Sequence, residues 1–161
     1  GDYNGDGLPE AAVFHPSDGL WRMRGITRIY FGQEGDRPVP ADYEGDGFDD
    51  IAVFRPSSGL WAVRGITRFY YGAAGDIPLV INRNGDGTIS PAIYRSDVGL
   101  WAVRGGIRIY FGGWADYPVP ADYSGTGVDE IAVFRPSSDL WAVRGISRIY
   151  YGSSEDVPAA R

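Results

Sequence analysis

The sequence predicts an all-β chain of four stacked forty-residue units, and three observations carry that prediction. Trp21, Trp61, Trp101 and Trp141 recur at a spacing of forty, with no insertion or deletion between copies. So do Tyr30, Tyr70, Tyr110 and Tyr150, and Arg24, Arg64, Arg104 and Arg144. Every apolar run is short, rich in Val, Ile, Phe, Tyr and Trp, and closed by Gly, Pro, Ser or Asp. No segment has the length or period of a helix. A repeat of this length is one supersecondary element that cannot bury its apolar faces alone and must stack on its neighbours.

One domain spanning 1–161 is expected, with repeats at 2–41, 42–81, 82–121 and 122–161. The second copy reads most clearly. Asp42 to Asp50 is an acidic, glycine-rich loop, and Ile51 to Arg55 is a strand. Pro56-Ser57-Ser58-Gly59 suits a type I turn with Pro in its second position and a left-handed Gly after it. Leu60 to Arg64 is the next strand, Gly65-Ile66 suits a two-residue type II′ turn, and Thr67 to Tyr71 is the strand that returns. Gly72 to Asp76 then leads to the segment that reads Pro38-Val39-Pro40 and Pro118-Val119-Pro120 in other copies. That segment can only be a short strand near a sheet edge, because Pro donates no ladder hydrogen bond.

The two-residue turn sets an expected register: Arg64 opposite Thr67, Val63 opposite Arg68, Ala62 opposite Phe69 and Trp61 opposite Tyr70. Trp61, Val63, Arg68 and Tyr70 would then share one face, with Leu60, Ala62, Arg64, Phe69 and Tyr71 on the other. Both faces are substantially apolar, so the sheet must be covered on both, as a blade is when wedged in a ring. Four strands per repeat without helices reads as a β-propeller of four-stranded blades. The chain starts after the inner strand of its first blade and ends on a spare one, Asp156-Val157-Pro158-Ala159-Ala160. Sealing within one molecule gives four blades; sealing between two gives an eight-bladed ring, a homodimer. The small inner residues Ala, Val and Pro favour the dimer, since a four-bladed ring asks for bulkier ones.

Composition bounds the rest. At 161 residues with 43% apolar and 14% aromatic residues the chain is long enough for a sizeable core. No apolar run approaches the length of a bilayer-spanning helix, so membrane insertion is not expected. The net charge is −6, and all fifteen basic residues are Arg. An acidic surplus argues against nucleic acid as a partner. Because the arginines recur in register, they are expected on strands, paired with local carboxylates. Cys is absent, which excludes disulfides, thiol catalysis and thiolate metal sites. The chain opens on Gly1 in mid-repeat, without an initiator Met, and is expected to be a processed or excised piece.

Asp42, Glu44, Asp46, Gly47 and Asp50 pack alternating oxygen donors into nine residues, with Gly where the backbone turns hardest. Hard cations such as Ca²⁺ need six to eight oxygens, and such a loop supplies carboxylates plus a carbonyl, here that of Phe48. Acidic glycine turns also cap strands without metal; recurrence at one place in the repeat favours the metal. The copies are graded. The second carries four carboxylates; the first offers Asp2, Asn4, Asp6, the Leu8 carbonyl and Glu10. The third has Asn82, Asn84, Asp86 and Ser90, and the fourth Asp122, Ser124, Thr126 and Glu130. Ligand charge sets Ca²⁺ affinity, so two occupied sites per chain are expected, the third marginal and the fourth empty.

These loops run into Ile-Ala-Val-Phe-Arg-Pro-Ser, and Pro-Val-Pro-Ala-Asp-Tyr leads into the next. The combined motif covers the whole chain and resembles the FG-GAP/VCBS repeats of integrin-α-type β-propellers, especially the bacterial secreted ones. The resemblance implies calcium through Asp2, Asn4, Asp6, Leu8 and Glu10 and through Asp42, Glu44, Asp46, Phe48 and Asp50. It implies an extracellular or cell-surface setting, and a family of adhesion modules, lectins and domains attached to polysaccharide-degrading enzymes. Departures at Asn82, Ser90, Ser124 and Thr126 weaken the last two loops.

Few residues break the repeat. His15, the only histidine, stands where Arg55, Arg95 and Arg135 stand, and reads as a drifted Arg position rather than a catalytic base. Trp61, Arg68 and Tyr70, with their copies, either stack a sugar ring or pack one blade on the next, which is the commoner use of large aromatics. Trp114, whose counterparts are Glu34, Ala74 and Ser154, is either a contact residue or a surface hydrophobe. The expected function is a non-enzymatic, calcium-stabilised, lectin-like binding or adhesion module for glycan or a cell-surface protein. The alternatives are a piece of a polysaccharide-degrading enzyme and a structural propeller fragment that self-associates.

Overall fold

The computed structural model describes residues 1–158, so Ala159 and Ala160 of the expected spare strand lie outside the described residues. The fold is all-β, with no α-helix among those residues. Each repeat forms its own antiparallel meander. The first sheet has three strands, β1 (Ala12–His15), β2 (Leu20–Met23) and β3 (Thr27–Tyr30). The second has four, β4 (Arg37–Pro38), β5 (Ala52–Arg55), β6 (Leu60–Val63) and β7 (Thr67–Tyr70). The third comprises β8 (Ile77–Asn82), β9 (Ile89–Arg95), β10 (Leu100–Val103) and β11 (Ile107–Tyr110). The fourth comprises β12 (Tyr117–Pro118), β13 (Ala132–Arg135), β14 (Leu140–Val143) and β15 (Ser147–Tyr150). The chain forms two compact units, residues 1–80 and 81–161.

Proline places the edge strands as the sequence predicts. β4 and β12 are two residues long and lie at one edge of their sheets. Pro40 and Pro120 then interrupt the ladder, which resumes only as isolated bridges, Ala41 to Asp50 and Ala121 to Glu130. The third repeat has Val80 at this position, its N–H is restored, and β8 runs on for six residues.

The hairpin register differs from the expected one. Trp61 pairs with Phe69, Ala62 with Arg68, Val63 with Thr67 and Leu60 with Tyr70. The connection is three residues, Arg64 to Ile66, closed by the Ile66 N–H on the Val63 carbonyl at 3.2 Å with Gly65 at φ 79°. A Gly with positive φ serves the first central position of a II′ turn and the second of this one, so composition does not separate the two. The one-residue slip changes what shares a face. Trp61 and Val63 lie with Phe69 and Thr67, whereas Arg68 and Tyr70 lie on the opposite side with Leu60 and Ala62. The expected Trp-Arg-Tyr face therefore does not exist.

The tryptophan side is the structural one. Trp21, Trp61 and Trp101 are 0–2% exposed. Phe54 lies 5.3 Å from Trp61, which stacks on Phe69 at 5.8 Å, so one aromatic row crosses three strands. Each indole N–H donates to a carbonyl ten residues on: Trp21 to Phe31 at 2.9 Å, Trp61 to Tyr71 at 3.0 Å and Trp101 to Phe111 at 2.9 Å. In the first unit, Trp21 and Met23 pack with Ile51, Val53 and Ala62, so the Trp side of one sheet covers the opposite side of the next. In the second unit Val119, Ala132, Phe134 and Val143 form a core with Trp141 against it.

Arginines on strand ends meet carboxylates, as expected. Arg55 forks onto the Asp36 side chain at 2.8 and 2.9 Å, and Arg135 onto Asp116 at 2.8 and 2.7 Å. Asp36 immediately precedes β4, and with Arg37 opposite Phe54 the ladder places it across from Arg55. The lock thus ties each short edge strand to its neighbour with charge-assisted, bidentate geometry. The same Asp36 carboxylate also accepts the Gln33 N–H at 3.0 Å.

The turn after the first full strand ends in a left-handed residue, Gly59 at φ 69° in the second copy. A Cβ there would meet the Gly72 carbonyl. The fourth copy holds Asp139 at this position, at φ 54°, with its Oδ1 buried and without a hydrogen-bond partner. Asp139→Gly is therefore expected to stabilise the chain by about 1 kcal/mol, the scale of left-handed strain in an L-residue. That corresponds to a rise of roughly 2–4 °C in Tm, read by calorimetry or circular dichroism.

Candidate metal centre

The first two acidic loops are built the same way. A first Asp turns the chain by accepting backbone N–H groups ahead of it: Asp42 takes those of Gly45 at 2.6 Å, Asp46 at 3.1 Å and Gly47 at 2.8 Å. This wrap requires Gly45 and Gly47 at φ 79° and 90°. The third-position carboxylate then caps the next turn, Asp46 Oδ1 accepting the Phe48 N–H at 2.9 Å. The closing carboxylate reaches back across the loop, Asp50 Oδ2 accepting the Tyr43 N–H at 2.9 Å. Loop one repeats the scheme: Asp2 takes Gly5 and Gly7, Asp6 takes Leu8, and Glu10 takes Tyr3.

Wrapping the backbone around the first Asp turns the side chains inward. In loop one, carboxylate oxygens of Asp2, Asp6 and Glu10 all lie within 4.8 Å of one another. Asn4 stands between them, its Nδ2 donating to Glu10 at 2.7 Å. Three carboxylates, an amide oxygen and the Leu8 carbonyl are an all-oxygen donor set that fits a hard divalent cation with water completing the shell. Among the described residues this is the carboxylate grouping of that compactness, whereas loop two has more charge, in a wider arrangement. There the charge is felt: burial, opposed by the Tyr43 N–H and reinforced by Glu44, Asp46 and Asp42, raises the Asp50 pKa above the ordinary carboxylate value. Asp2 in loop one is lowered, because the N–H groups of Gly7, Gly5, Asn4 and Asp6 outweigh a desolvation that pushes the other way.

The two weaker loops differ in how they satisfy the same backbone. In loop four the Ser124 hydroxyl bridges to Glu130 at 2.5 Å and to Thr126 at 2.9 Å, so hydroxyls stand where the other loops place Asn or Glu and then Asp. Asp122 still takes the Gly127 and Thr126 N–H groups, and those bonds, the first the larger, lower its pKa. In loop three Asn82 accepts from Gly85 at 2.9 Å, and Asp86 accepts from the Thr88 hydroxyl at 2.6 Å and its N–H at 2.9 Å. Among the described residues no hydrogen bond of Asn84 or Ser90 closes that loop in the way Glu10 closes loop one.

A pairing of loops was missed in the sequence. Asp49 accepts the Asp2 N–H at 3.1 Å and donates its own N–H to the Asp2 carbonyl at 2.6 Å, while the Phe48 ring lies against Gly5. In the second unit Asp129 makes the same two bonds to Asn82, both at 2.7 Å, and Val128 lies against Gly85. The signal was available: Asp49 and Asp129 recur at a spacing of eighty, with Pro9 and Ile89 at the intervening positions.

Of the remaining residues singled out, Trp61 is fully buried, while Tyr30, Tyr70, Tyr110 and Tyr150 are 71–73% exposed and Trp114 82%. Arg28, Arg68, Arg108 and Arg148 are exposed two residues before each Tyr on the same face. His15 contacts Asp18 at 3.0 Å and Ser17 at 3.1 Å, but both through Nδ1. A nucleophile relay needs its partners on opposite ring nitrogens, so this turn is not one.

No family model, no curated protein and no solved structure matches this chain.

The raised Asp50 pKa has a signed consequence. The penalty for its charge is full above its folded-state value and disappears below the ordinary carboxylate value, so it weakens loop two at neutral pH. A cation bound there reverses the sign. Carboxyl ¹³C titration by NMR is expected to place Asp50 above the usual range in chelator and below it in excess Ca²⁺.

Proposed function

We propose that this chain is a calcium-stabilised β-propeller of the FG-GAP/VCBS type that acts as a non-enzymatic binding or adhesion module on glycans outside the cell. The convergence of Asp2, Asp6 and Glu10 within 4.8 Å, in a loop whose backbone recurs in every repeat, carries the reading. Three negative groups held that close repel one another, and a divalent cation converts the repulsion into attraction. Asp42, Glu44, Asp46, the Phe48 carbonyl and Asp50 supply the second site. Loops three and four, with amides and hydroxyls for carboxylates, hold their shape through Thr88 and Ser124 instead.

The binding surface is the outer strand of each repeat. An exposed Arg and Tyr two residues apart offer a ring to stack on a sugar and a fork of N–H donors for its hydroxyls or carboxylates. Four copies bind a repeating polymer through avidity although each contact is shallow. Trp114 adds one further exposed aromatic in the connection between β11 and β12. A second copy of the chain is read as completing an eight-bladed ring.

Calcium at about a hundred times its Kd is expected to stabilise the chain by about 2.7 kcal/mol per site, and calorimetry in calcium and in chelator measures it. Asp2→Asn with Glu10→Gln is expected to remove one bound ion per chain by native mass spectrometry. An unchanged Tm in calcium would overturn the metal reading. Retention on immobilised acidic polysaccharide, lost when Tyr30, Tyr70, Tyr110 and Tyr150 are all changed to Ala without loss of Tm, tests the glycan surface. Release of shortened polysaccharide in the same assay would replace that reading with an enzymatic one.

A further inference from the structure

Between the two sheets of the second unit lies a cleft of about 220 Å³. Ile81, Val103, Ile107, Ile109 and Ile131 form its floor, and Arg83, Arg144, Asp129 and Glu130 its rim. Position 83 breaks the repeat, because the other three copies hold Tyr3, Tyr43 and Tyr123 there. In the first unit Tyr3 packs on the core that contains Met23 and Ile51, the counterparts of Val103 and Ile131. Burial, and then the Asp49 and Glu10 carboxylates, push its hydroxyl up to about 12, so the phenol lies near Asp49, the counterpart of Asp129. The first unit thus fills with its own ring the place that Arg83 leaves open in the second. The floor registers the difference: Ile51 is buried, whereas Ile131 is only half-buried. Ile107, where the other copies have Thr27, Thr67 and Ser147, makes this floor more apolar still.

The carboxylates of the rim are already engaged. Asp129 Oδ2 accepts the Asn82 N–H at 2.7 Å, and Glu130 accepts the Tyr123 N–H at 2.7 Å and the Ser124 hydroxyl at 2.5 Å. Among the described residues the guanidinium groups of Arg83 and Arg144 have neither a hydrogen bond nor an ion pair. The cleft therefore combines an apolar floor with two permanently charged donors that lack acceptors.

We propose that this cleft binds a small aromatic carboxylate, with its ring on Ile81, Val103 and Ile131 and its carboxylate on Arg83 and Arg144. An apolar cavity of about 150 Å³ takes benzene, so this one holds a benzoate-sized molecule with its anion at the rim. Guanidinium meets carboxylate as a planar fork. A neutral ring leaves both arginines unmet, and an aliphatic anion of acetate size leaves the floor wet. The site stands apart from the first two acidic loops and from the exposed arginine–tyrosine pairs. Arg108 and Tyr110 lie on the opposite side of β11 from Ile107 and Ile109.

Methyl ¹H–¹³C NMR of the isoleucines in the whole chain, titrated with sodium benzoate in excess calcium at constant pH and ionic strength, tests the site. Saturable shifts are expected for the methyls of Ile81, Ile107, Ile109 and Ile131, with those of Ile26, Ile29, Ile51 and Ile66 unmoved. Benzamide and acetate are each expected to bind roughly tenfold more weakly, the scale of one hydrogen bond to a charged group. Arg144→Gln is expected to lose a similar factor. Arg83→Tyr, which supplies the ring that the first unit has, is expected to abolish saturation while the remaining methyls keep their folded dispersion. Benzamide binding as tightly as benzoate overturns the anionic class, and glucuronate binding more tightly than benzoate overturns the aromatic one. Shifts that do not saturate, or saturation that survives Arg83→Tyr, overturn the site itself.

Discussion

A sheet of four short strands with apolar residues on both sides has no stable solution alone, and that constraint organises the chain. Each forty-residue unit buries one side through its tryptophan row and needs a neighbour to bury the other. In the first unit Trp21 and Met23 of one sheet close over Val53 and Ala62 of the next, so cores form between repeats as much as within them. The hydrophobic term acts without direction, and it specifies stacking without specifying register.

Register comes from polar groups that have only one place to go. The buried indole N–H has to find an acceptor, and the carbonyl ten residues on is where the return strand leaves the sheet. Asp36 and Asp116 are buried carboxylates, each held by an arginine fork and Asp36 also by the Gln33 N–H, so moving the short edge strand by one residue would strand a charge. The proline-bearing strands, with little ladder of their own, are held by this pair as well as by backbone bonds.

How much of this was legible depended on the range over which each signal acts. The forty-residue period, the left-handed Gly59, the edge placement of Pro38 and Pro118, and the arginine–carboxylate pairing are local or periodic and were read directly. The hairpin register was not, because Gly65 supplies positive φ to either of two turns, and the error carried Arg68 and Tyr70 to the wrong side of the sheet. Counting carboxylates likewise ranks loop two first, whereas the compact grouping falls in loop one. Charge number is written in the composition; the distance between charges depends on which oxygen each backbone N–H has claimed. The Asp49 and Asp129 bridges were hidden because they repeat at eighty residues, a period invisible when each unit is compared only with the next.

The four loops together separate what the backbone needs from what a cation needs. The wrap of N–H groups around the first residue persists in loop four, where Asp122 holds Thr126 and Gly127, and in part in loop three, where Asn82 holds Gly85. That wrap is a folding device, satisfied by any Asx side chain with glycines behind it. What varies is the ring of second, third and closing positions. Loop four fills it with hydroxyls that bond one another and Glu130, neutralising the need for a counter-charge. Loop two fills it with carboxylates, which raise Asp50, and loop one with two carboxylates and Asn4, which brings Asp2, Asp6 and Glu10 together. The excess of carboxylates over loop four falls in the two loops of one unit that Asp49 ties together.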